Sequence, residues 1–363
     1  MTFKERPGMT HEWRVREATP GEIAGWDDLV LTNRDGGLWT QTLAYARYKQ
    51  WDGLGIRYLV FEGPYPVYSL VLEHRSPLGV QWNLLQGPGC EPEDIPGVTA
   101  AIKRDGPVIA GRLIAVLIQP FITDTEDHRA ILAGAGYVPE LPRMLNTYTV
   151  LVDMDKSEDE LFSSFHKRLR NHIRSATKNG YVVEQVTEPT EETYEAMWGL
   201  MQTVAGGKGS DRYREYEAYR QYWSEFHRSG QALWWFGYDG EEGPQAISFM
   251  ISFGKYLVAK DGGSRPDRAI RGGHHMMRWR AMQWAKENTG ASVYDAFGAT
   301  PESEIDNEEH PLHAITQTKK RFGPLVDHVT AQLLVLDERR YRLFMRAWLP
   351  IEWRVRRRPG GIW

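Results

Sequence analysis

Five cations fall within twelve residues of this 363-residue chain: Lys167, Arg168, Arg170, Arg174 and Lys178. Lys167, Arg170, Arg174 and Lys178 recur at intervals of three or four, and no acidic residue inside the run neutralises them across a helical turn. A helix face that is only solvated normally interleaves its signs. An unneutralised stripe repels itself and gains from an anionic partner such as phosphates, which arginine grips bidentately and lysine meets as a point charge. A soluble face with no partner is the other reading of the same spacing. A second concentration is the glycine run Gly206 to Gly209 with Lys208, followed by Arg212, Tyr213 and a tyrosine ladder at Tyr216, Tyr219 and Tyr222. Arg212 and Tyr216 are one helical turn apart, so a guanidinium and a phenol can reach one ligand; most of the ladder reads as core. In a third, Lys319, Lys320 and Arg321 are adjacent before Phe322. Three neighbouring cations splay, so at most two of them face one cleft.

Other chemistries lack their residues. The glycine run has no Walker spacing. His274, His275, His310 and His313 lie near Asp306, Glu308 and Glu309, but without an HExxH arrangement, and neighbouring His274 and His275 are expected on different faces of a helix, so no metal site is expected. There is no G-x-S-x-G elbow. The single cysteine, Cys90, forms no internal disulfide and is expected to be buried.

The elements that must position these residues follow from hydrophobic period and turn punctuation. Strands are predicted at Ile56–Phe61, Val67–Glu73, Val80–Leu85, Leu113–Ile118 and Asn146–Leu151, with helices at Ile95–Arg104 and Glu126–Ala135. The second half repeats the order. It has strands at Tyr181–Val186, Ala232–Tyr238, Gln245–Phe253, Lys255–Lys260, Ser292–Ala296 and Val329–Val335, and helices at Glu191–Val204, Tyr213–Ser229, Gly272–Glu287 and Leu312–Arg321. Between the halves, Ser157 and Glu160 have capping-box spacing. Phe162, Phe165, Leu169, Ile173 and Ala176 then recur at helical intervals up to the stop Asn179-Gly180, which predicts one amphipathic helix over Asp155–Gly180. The duplicated recipe points to an α/β module with a mixed, twisted sheet, present twice.

Composition sets the outer bounds. Hydrophobic residues at 41% and charged residues at 25% describe a chain that can bury a core, which excludes disorder. A net charge of -4, from 44 basic and 48 acidic residues, excludes a uniformly basic nucleic-acid coat, so any polyanion site is local. No apolar run approaches the ~20 residues of a membrane span, and Met1 to Arg16 is charged without an apolar core, so a cytoplasmic location is expected. The tail carries Arg354, Arg356, Arg357 and Arg358 with Trp353 and Trp363, a basic run that can meet a nucleic-acid backbone or an acidic membrane, or only water.

Three of these segments, in this order, resemble the Fem family, the FemABX type of aminoacyl-tRNA-dependent peptidyltransferases that build peptidoglycan side bridges. The family's basic helix, roughly K/R-x-R-x-x-I-x-x-A-x-x-x-G, is met by Arg168, Arg170, Ile173, Ala176 and Gly180, with Arg174 beside Ile173. Its closing Phe-Lys-x-x-Phe-Gly is met by Thr318 to Gly323 with threonine at the first position, and its Q-x-x-x-W-x-x-x-K element by Gln41, Tyr45 and Lys49 with tyrosine for tryptophan; the strand end Tyr294 to Gly298 fits as well. The resemblance spans most of the chain. It implies an α/β (α+β) fold of two tandem acetyltransferase-like (GNAT) lobes with mixed twisted sheets, the first formed by 1–148 plus 338–363 and the second by 149–337. The space between Tyr213 and Ser229 admits one helix, which implies the kind without a coiled-coil arm.

The resemblance further implies transfer of an aminoacyl group from tRNA to an amine, on a peptidoglycan precursor or a related small-molecule natural product, with aminoacyl-tRNA as co-substrate and no other cofactor. It places Lys49, Arg212 and Tyr216 on the acceptor's diphosphate and Lys319 beside the reacting ester, while Lys167, Arg168, Arg170, Arg174 and Lys178 would track tRNA phosphates. An aminoacyl ester is already activated, so the reaction needs positioning, loss of an ammonium proton and stabilisation of the oxyanion, and no covalent enzyme intermediate. Asp295 and Asp261 are the candidate bases. Two rivals remain: an acyl-CoA N-acyltransferase, for which Arg271-Gly272-Gly273 offers glycines before a helix without the usual Q/R-x-x-G-x-G/A spacing, and a non-catalytic nucleic-acid or envelope-binding module.

Overall fold

The apolar run Leu113–Gln119 is buried at every residue, which is the mark of a strand covered on both faces. Around it the computed structural model, which describes residues 12–140, 147–205, 214–240, 243–267 and 269–351, builds one of two units. Arg212 and the basic tail Arg354–Arg358 lie outside the described residues. The first unit comprises Met1–Leu145 and Val329–Trp363, the second Asn146–His328.

In the first unit β1 (Arg14–Glu17), α1 (Pro20–Ala24), α2 (Trp26–Val30), α3 (Leu43–Trp51), β2 (Gly55–Glu62), β3 (Val67–Ser76), β4 (Gly79–Leu85), α4 (Ile95–Ala110), β5 (Leu113–Gln119), α5 (Glu126–Ala135) and β6 (Val138–Pro139) follow in turn. The second has β7 (Tyr148–Asp153), α6 (Glu158–Ser164), α7 (Lys167–Lys178), β8 (Val182–Val186), α8 (Glu191–Ala205), α9 (Tyr216–Arg228), β9 (Ala232–Tyr238), β10 (Ala246–Phe253), β11 (Tyr256–Ser264), α10 (Gly273–Asn288), β12 (Val293–Asp295), α11 (His313–Lys319) and β13 (Leu325–Asp327). The chain then adds β14 (Gln332–Val335) and α12 (Glu338–Leu343) to the first unit.

Each unit is a seven-stranded mixed sheet, and the two sheets have one plan: β1-β2-β3-β4-β5-β14-β6 and β8-β9-β10-β11-β12-β7-β13. In both, the fourth and fifth strands are parallel and every other pair is antiparallel. The duplicated recipe is therefore real down to strand direction. In both, the sixth strand comes directly after a stretch of the other unit: β7 follows β6 of the first, and β14 follows β13 of the second. That exchange moves the second boundary: β14 pairs with β5 and β6, so the first unit resumes at Val329 and not at 338. Since β7 completes the second sheet, that unit begins at Asn146.

One predicted helix is two. The Ser157–Glu160 capping box forms as expected and starts α6, but Phe165 is extended, with ψ 149°. The His166 N–H turns aside to donate to the Arg321 carbonyl at 2.9 Å. His166 then caps α7, its ring accepting from the Arg168 N–H. The apolar period runs through the break because Leu161, Phe165, Leu169 and Ile173 all join the second unit's core, with Trp279, Tyr294 and Phe322.

Candidate active site

The two sheets differ where their parallel strands meet. In the first unit β4 and β5 stay paired from Val80↔Leu113 to Leu85↔Gln119. In the second, β11 and β12 pair only at Tyr256↔Val293, Leu257↔Tyr294 and Val258↔Asp295, although β11 continues beside β10 as far as Ser264. The sheet splits there. On one side of the split, β11 bulges: Ala259 faces Met250 and Asp261 faces Phe249, which leaves Lys260 as the extra residue. On the other, the chain after β12 stays with β7 through Ala296 N–H to Val150 O and Ala299 N–H to Tyr148 O.

The connections after the fourth strands also differ in charge. Before α4 the first unit places Glu91, Glu93 and Asp94, and Asp94 accepts a hydrogen bond from the Tyr65 hydroxyl at 2.5 Å. Before α10 the second unit places Arg271, Gly272 and Gly273. Gly272 caps the helix at φ 86°, and a Cβ there would come within 2.7 Å of the His172 carbonyl. A Cβ on Gly273 would meet the Tyr181 ring at 2.0 Å. Both glycines are required by the close approach of α7 and β8 to the first turn of this sixteen-residue helix, whose N–H groups and dipole favour an anion.

A cavity of about 620 Å³ opens at that helix start. Its walls carry Arg168, Arg271, Arg278 and Arg321, with His172, His274 and His275, and among the described residues no carboxylate. Among the described residues none of the four guanidiniums has an ion pair; Arg278 makes one hydrogen bond, to the Tyr294 hydroxyl at 3.2 Å. The crowding acts on the titrating groups. Burial, and then Arg321, Arg168 and Arg271, push the His172 imidazole below its ordinary range, while burial with His274 and Arg278 pushes His275 far down. Arg321 itself is held below its usual range by burial and Arg168. The Nδ1 atoms of His172 and His275 are buried without a partner, so polar capacity is left for a ligand. The expectation that His274 and His275 face apart is corrected here. Their rings lie 3.8 Å apart and both line the cavity, since neighbours on a helix are only about 100° apart and both can border one cavity.

Lys319 ends α11 with 5% of its surface exposed. Its Nζ donates to the carbonyls of Phe297 and, at 2.6 Å, Gly298. Burial first, then Arg278 and Lys260, bring its ammonium down to about 7, against the opposing pull of Asp295. Asp295 is wholly enclosed: its Oδ1 accepts from the Thr149 hydroxyl and from the Phe297 N–H at 2.8 Å, and burial raises its pKa. Phe297 stands at φ 46°, a left-handed conformation that costs a non-glycine residue energy. Asp295 thus holds the turn whose two carbonyls grip Lys319. Asp295→Ala strands a buried N–H and a hydroxyl, and is expected to lower unfolding free energy by about 2–4 kcal/mol in urea titration. A loss under 0.5 kcal/mol would remove this role. Asp261, the other candidate base, accepts from the Trp223 indole at 3.1 Å and pairs with Lys260 at 3.4 Å.

The cation run of α7 divides between two places. Arg168 reaches the arginine cavity, whereas Arg174 and Lys178 line a separate groove of about 450 Å³ with Phe162, Trp279 and Arg280. Arg174 lies over the Phe162 ring at 5.3 Å. Lys167 is exposed, and Arg170 donates to the Ser163 carbonyl. Tyr216 donates its hydroxyl to Glu191 at 2.5 Å. Lys49 belongs to the first unit, 2% exposed, 3.6 Å from Asp52 and against the rings of Tyr45 and Tyr48. Of the sequence expectations, Arg168 lines the cavity, joined there by Arg271, Arg278, His172 and His275, while Lys319 and Asp295 meet at the Phe297 turn, with Arg278 acting on Lys319. The visible signal for the added group was Arg271-Gly272-Gly273 opening a helix, with His274 and Arg278 one turn apart.

Residues 163–304 match the acetyltransferase (GNAT) domain family. Among solved structures the chain is similar to FemX, at 16% identity and a TM-score of 0.76, over 92% of this chain and 100% of FemX. It is also similar to a conserved protein of unknown function from Bacteroides thetaiotaomicron VPI-5482, at 10% identity and TM-score 0.53 over 89% and 99% of the two chains. A third is L-PGS from Bacillus licheniformis, at 13% identity and TM-score 0.50 over 95% and 98%. No curated protein sequence matches. The fold is FemX-like, with GNAT-like sheets in tandem, and the domain match supports an acyltransferase-type enzyme.

Proposed function

We propose that the chain transfers an aminoacyl group from tRNA to an acceptor amine. The observation that carries this is the arginine cavity at the start of α10, lined by no described carboxylate, beside a sheet whose parallel strands part in the second unit and stay paired in the first. Four unpaired guanidiniums and a helix N-terminus suit the phosphates of the donor. Beyond Val258 no described strand pairs with the split side of β11, so its backbone groups are available to an extended donor arm. The acceptor amine attacks the ester carbonyl, a C–N bond forms, the oxyanion collapses, and the C–O bond breaks as the ribose hydroxyl leaves with a proton. Lys319, as the ammonium, supports the oxyanion. Lys167, Arg170, Arg174 and Lys178, on the same helix as Arg168, meet the rest of the RNA beside Glu158 and Asp159, which share the groove with Arg174 and Lys178, with the salt dependence that phosphate contacts impose. The Fem resemblance assigns Lys49, Arg212 and Tyr216 to a phosphate-bearing acceptor, such as a peptidoglycan precursor, and the charged N-terminal segment suits a cytoplasmic setting. Among the described residues no helix is long and apolar enough to cross a membrane.

An acyl-CoA donor is the second reading, favoured by the GNAT match over 163–304 and by the glycine pair before α10. The deciding experiment incubates the protein with a mixed radiolabelled aminoacyl-tRNA pool and, separately, labelled acetyl-CoA, each with candidate amines. Label passing from tRNA into a base-stable amide is expected. No consumption of any charged tRNA, with turnover of acetyl-CoA, would transfer the assignment to the second reading.

A further inference from the structure

The last described stretch of the chain carries a surface that acyl transfer in the second unit does not use. Helix α12 runs on through a wider, π-helical turn at Phe344–Trp348 to Ile351. Its inner side belongs to the first unit: Phe344 and Leu349, with Tyr341, Met345 and Trp348, pack on Ile114, Ala115 and Leu117 of β5. Its outer side presents Arg339, Arg342, Leu343, Arg346, Pro350 and Ile351. Leu343 is 54% exposed and Ile351 56%, on the same outward arc as the three arginines. Arg340 is bonded to Asp337 at 2.6 Å, whereas Arg339, Arg342 and Arg346 have no ion pair among the described residues.

Sequence charge points the same way. From Asp337 to the last residue there are eight basic residues against three acidic ones, in a chain whose total is -4. Large exposed aliphatic side chains set among unpaired arginines serve neither solubility nor a nucleic-acid backbone, which takes cations and has no place for leucine or isoleucine. A bilayer with anionic headgroups takes both: phosphates for the guanidiniums and acyl chains for the aliphatic tips.

We propose that this outer face of Glu338–Ile351 seats the protein on an anionic lipid surface, Leu343 and Ile351 entering between headgroups while Arg339, Arg342 and Arg346 meet lipid phosphates. The occupancy is peripheral. It requires no segment that spans the bilayer.

The test uses the full chain with Leu343→Cys carrying a nitrobenzoxadiazole dye. Selective labelling is possible because the one native cysteine, Cys90, is buried. Vesicles of phosphatidylcholine with about a third phosphatidylglycerol should shift the dye emission to the blue and raise its intensity, and vesicles of phosphatidylcholine alone should not. Replacing Arg339, Arg342 and Arg346 by glutamine should weaken that response by about a hundredfold in lipid concentration, since each basic residue at a charged surface contributes roughly fivefold. In unlabelled protein, Leu343→Glu with Ile351→Glu should lower vesicle sedimentation at least tenfold with an unchanged unfolding midpoint, both side chains being exposed. The cations of α7 can also draw the protein to vesicles, but they do not move a dye at position 343. No blue shift on the anionic vesicles overturns the proposal. So does a shift indifferent to the three arginines. A short RNA duplex whose binding is lost with the arginines but untouched by the glutamates, with vesicle sedimentation unaffected by either change, would assign the face to RNA instead.

Discussion

Lys319→Met is expected to lower kcat/KM for aminoacyl transfer by about 10²–10³-fold, the usual loss when one preorganised oxyanion donor is removed from a dry site. The lysine is a donor by geometry before it is one by charge: two of its hydrogens are fixed by the Phe297 and Gly298 carbonyls, which leaves one for the reacting oxygen. Its pKa of about 7 in the free protein adds a signature in pH. Below 7 the group is an ammonium and supports the oxyanion; as pH rises through 7 it loses that proton, so kcat/KM should fall on the alkaline side with an apparent pKa near 7. The residual activity of Lys319→Met should lack that limb. A wild-type profile that instead rises through 7, with the rise abolished in the variant, would make Lys319 a general base and discard the oxyanion role. Donor binding, measured by filter retention of charged tRNA, should change less than threefold, because the proposed phosphate contacts are those of Arg168, Arg271, Arg278 and Arg321.

What the sequence disclosed and what it withheld divide along a physical line. Local rules carried the capping box at Ser157, the α5 stop at Gly136 with φ 97°, and the strands around Leu113 and Ala246, because each depends on neighbours within a few residues. The break at Phe165 was invisible: its cause is a hydrogen bond from His166 to Arg321, 155 positions away in sequence. The exchange of β7 and β14 was hidden for a similar reason, since an apolar strand does not announce which sheet it enters. The split between β11 and β12 was hidden too. It is a property of register, and both strands have ordinary β composition. Short α3 went unassigned although its residues Tyr45 and Lys49 had been singled out, because their aromatic run has no clear helical period. The cationic residues were legible as a group. Their partition between a cavity and a groove was not, since it depends on where α10 crosses α7.

Replacing Arg271 and Arg321 together by alanine should separate function from stability in a way that a structural pair of arginines cannot. Each guanidinium that meets a phosphate contributes about 1.5–3 kcal/mol through a charge-assisted hydrogen bond, so the double variant should bind aminoacyl-tRNA about 10²–10⁴-fold more weakly. The slope of log affinity against log salt should become shallower by about 1.4, at ~0.7 per single-strand phosphate contact. Folding should respond in the opposite direction. In the free protein these arginines face one another, Arg168 and three histidines without a carboxylate among them, and their repulsion is what holds the His172 and His275 imidazoles down alongside burial. Removing two of the charges relieves it, so the unfolding midpoint should stay level or rise, and the His172 titration followed by NMR should move upward toward its ordinary value. A fall in midpoint together with an unmoved His172 would mean that the arginines are buttresses of the fold, and the cavity would lose its claim to a phosphate ligand. The combination of weaker binding, higher stability and a recovered imidazole is what a site built for an anion must give, since a bound anion's charge offsets the repulsion among the guanidiniums.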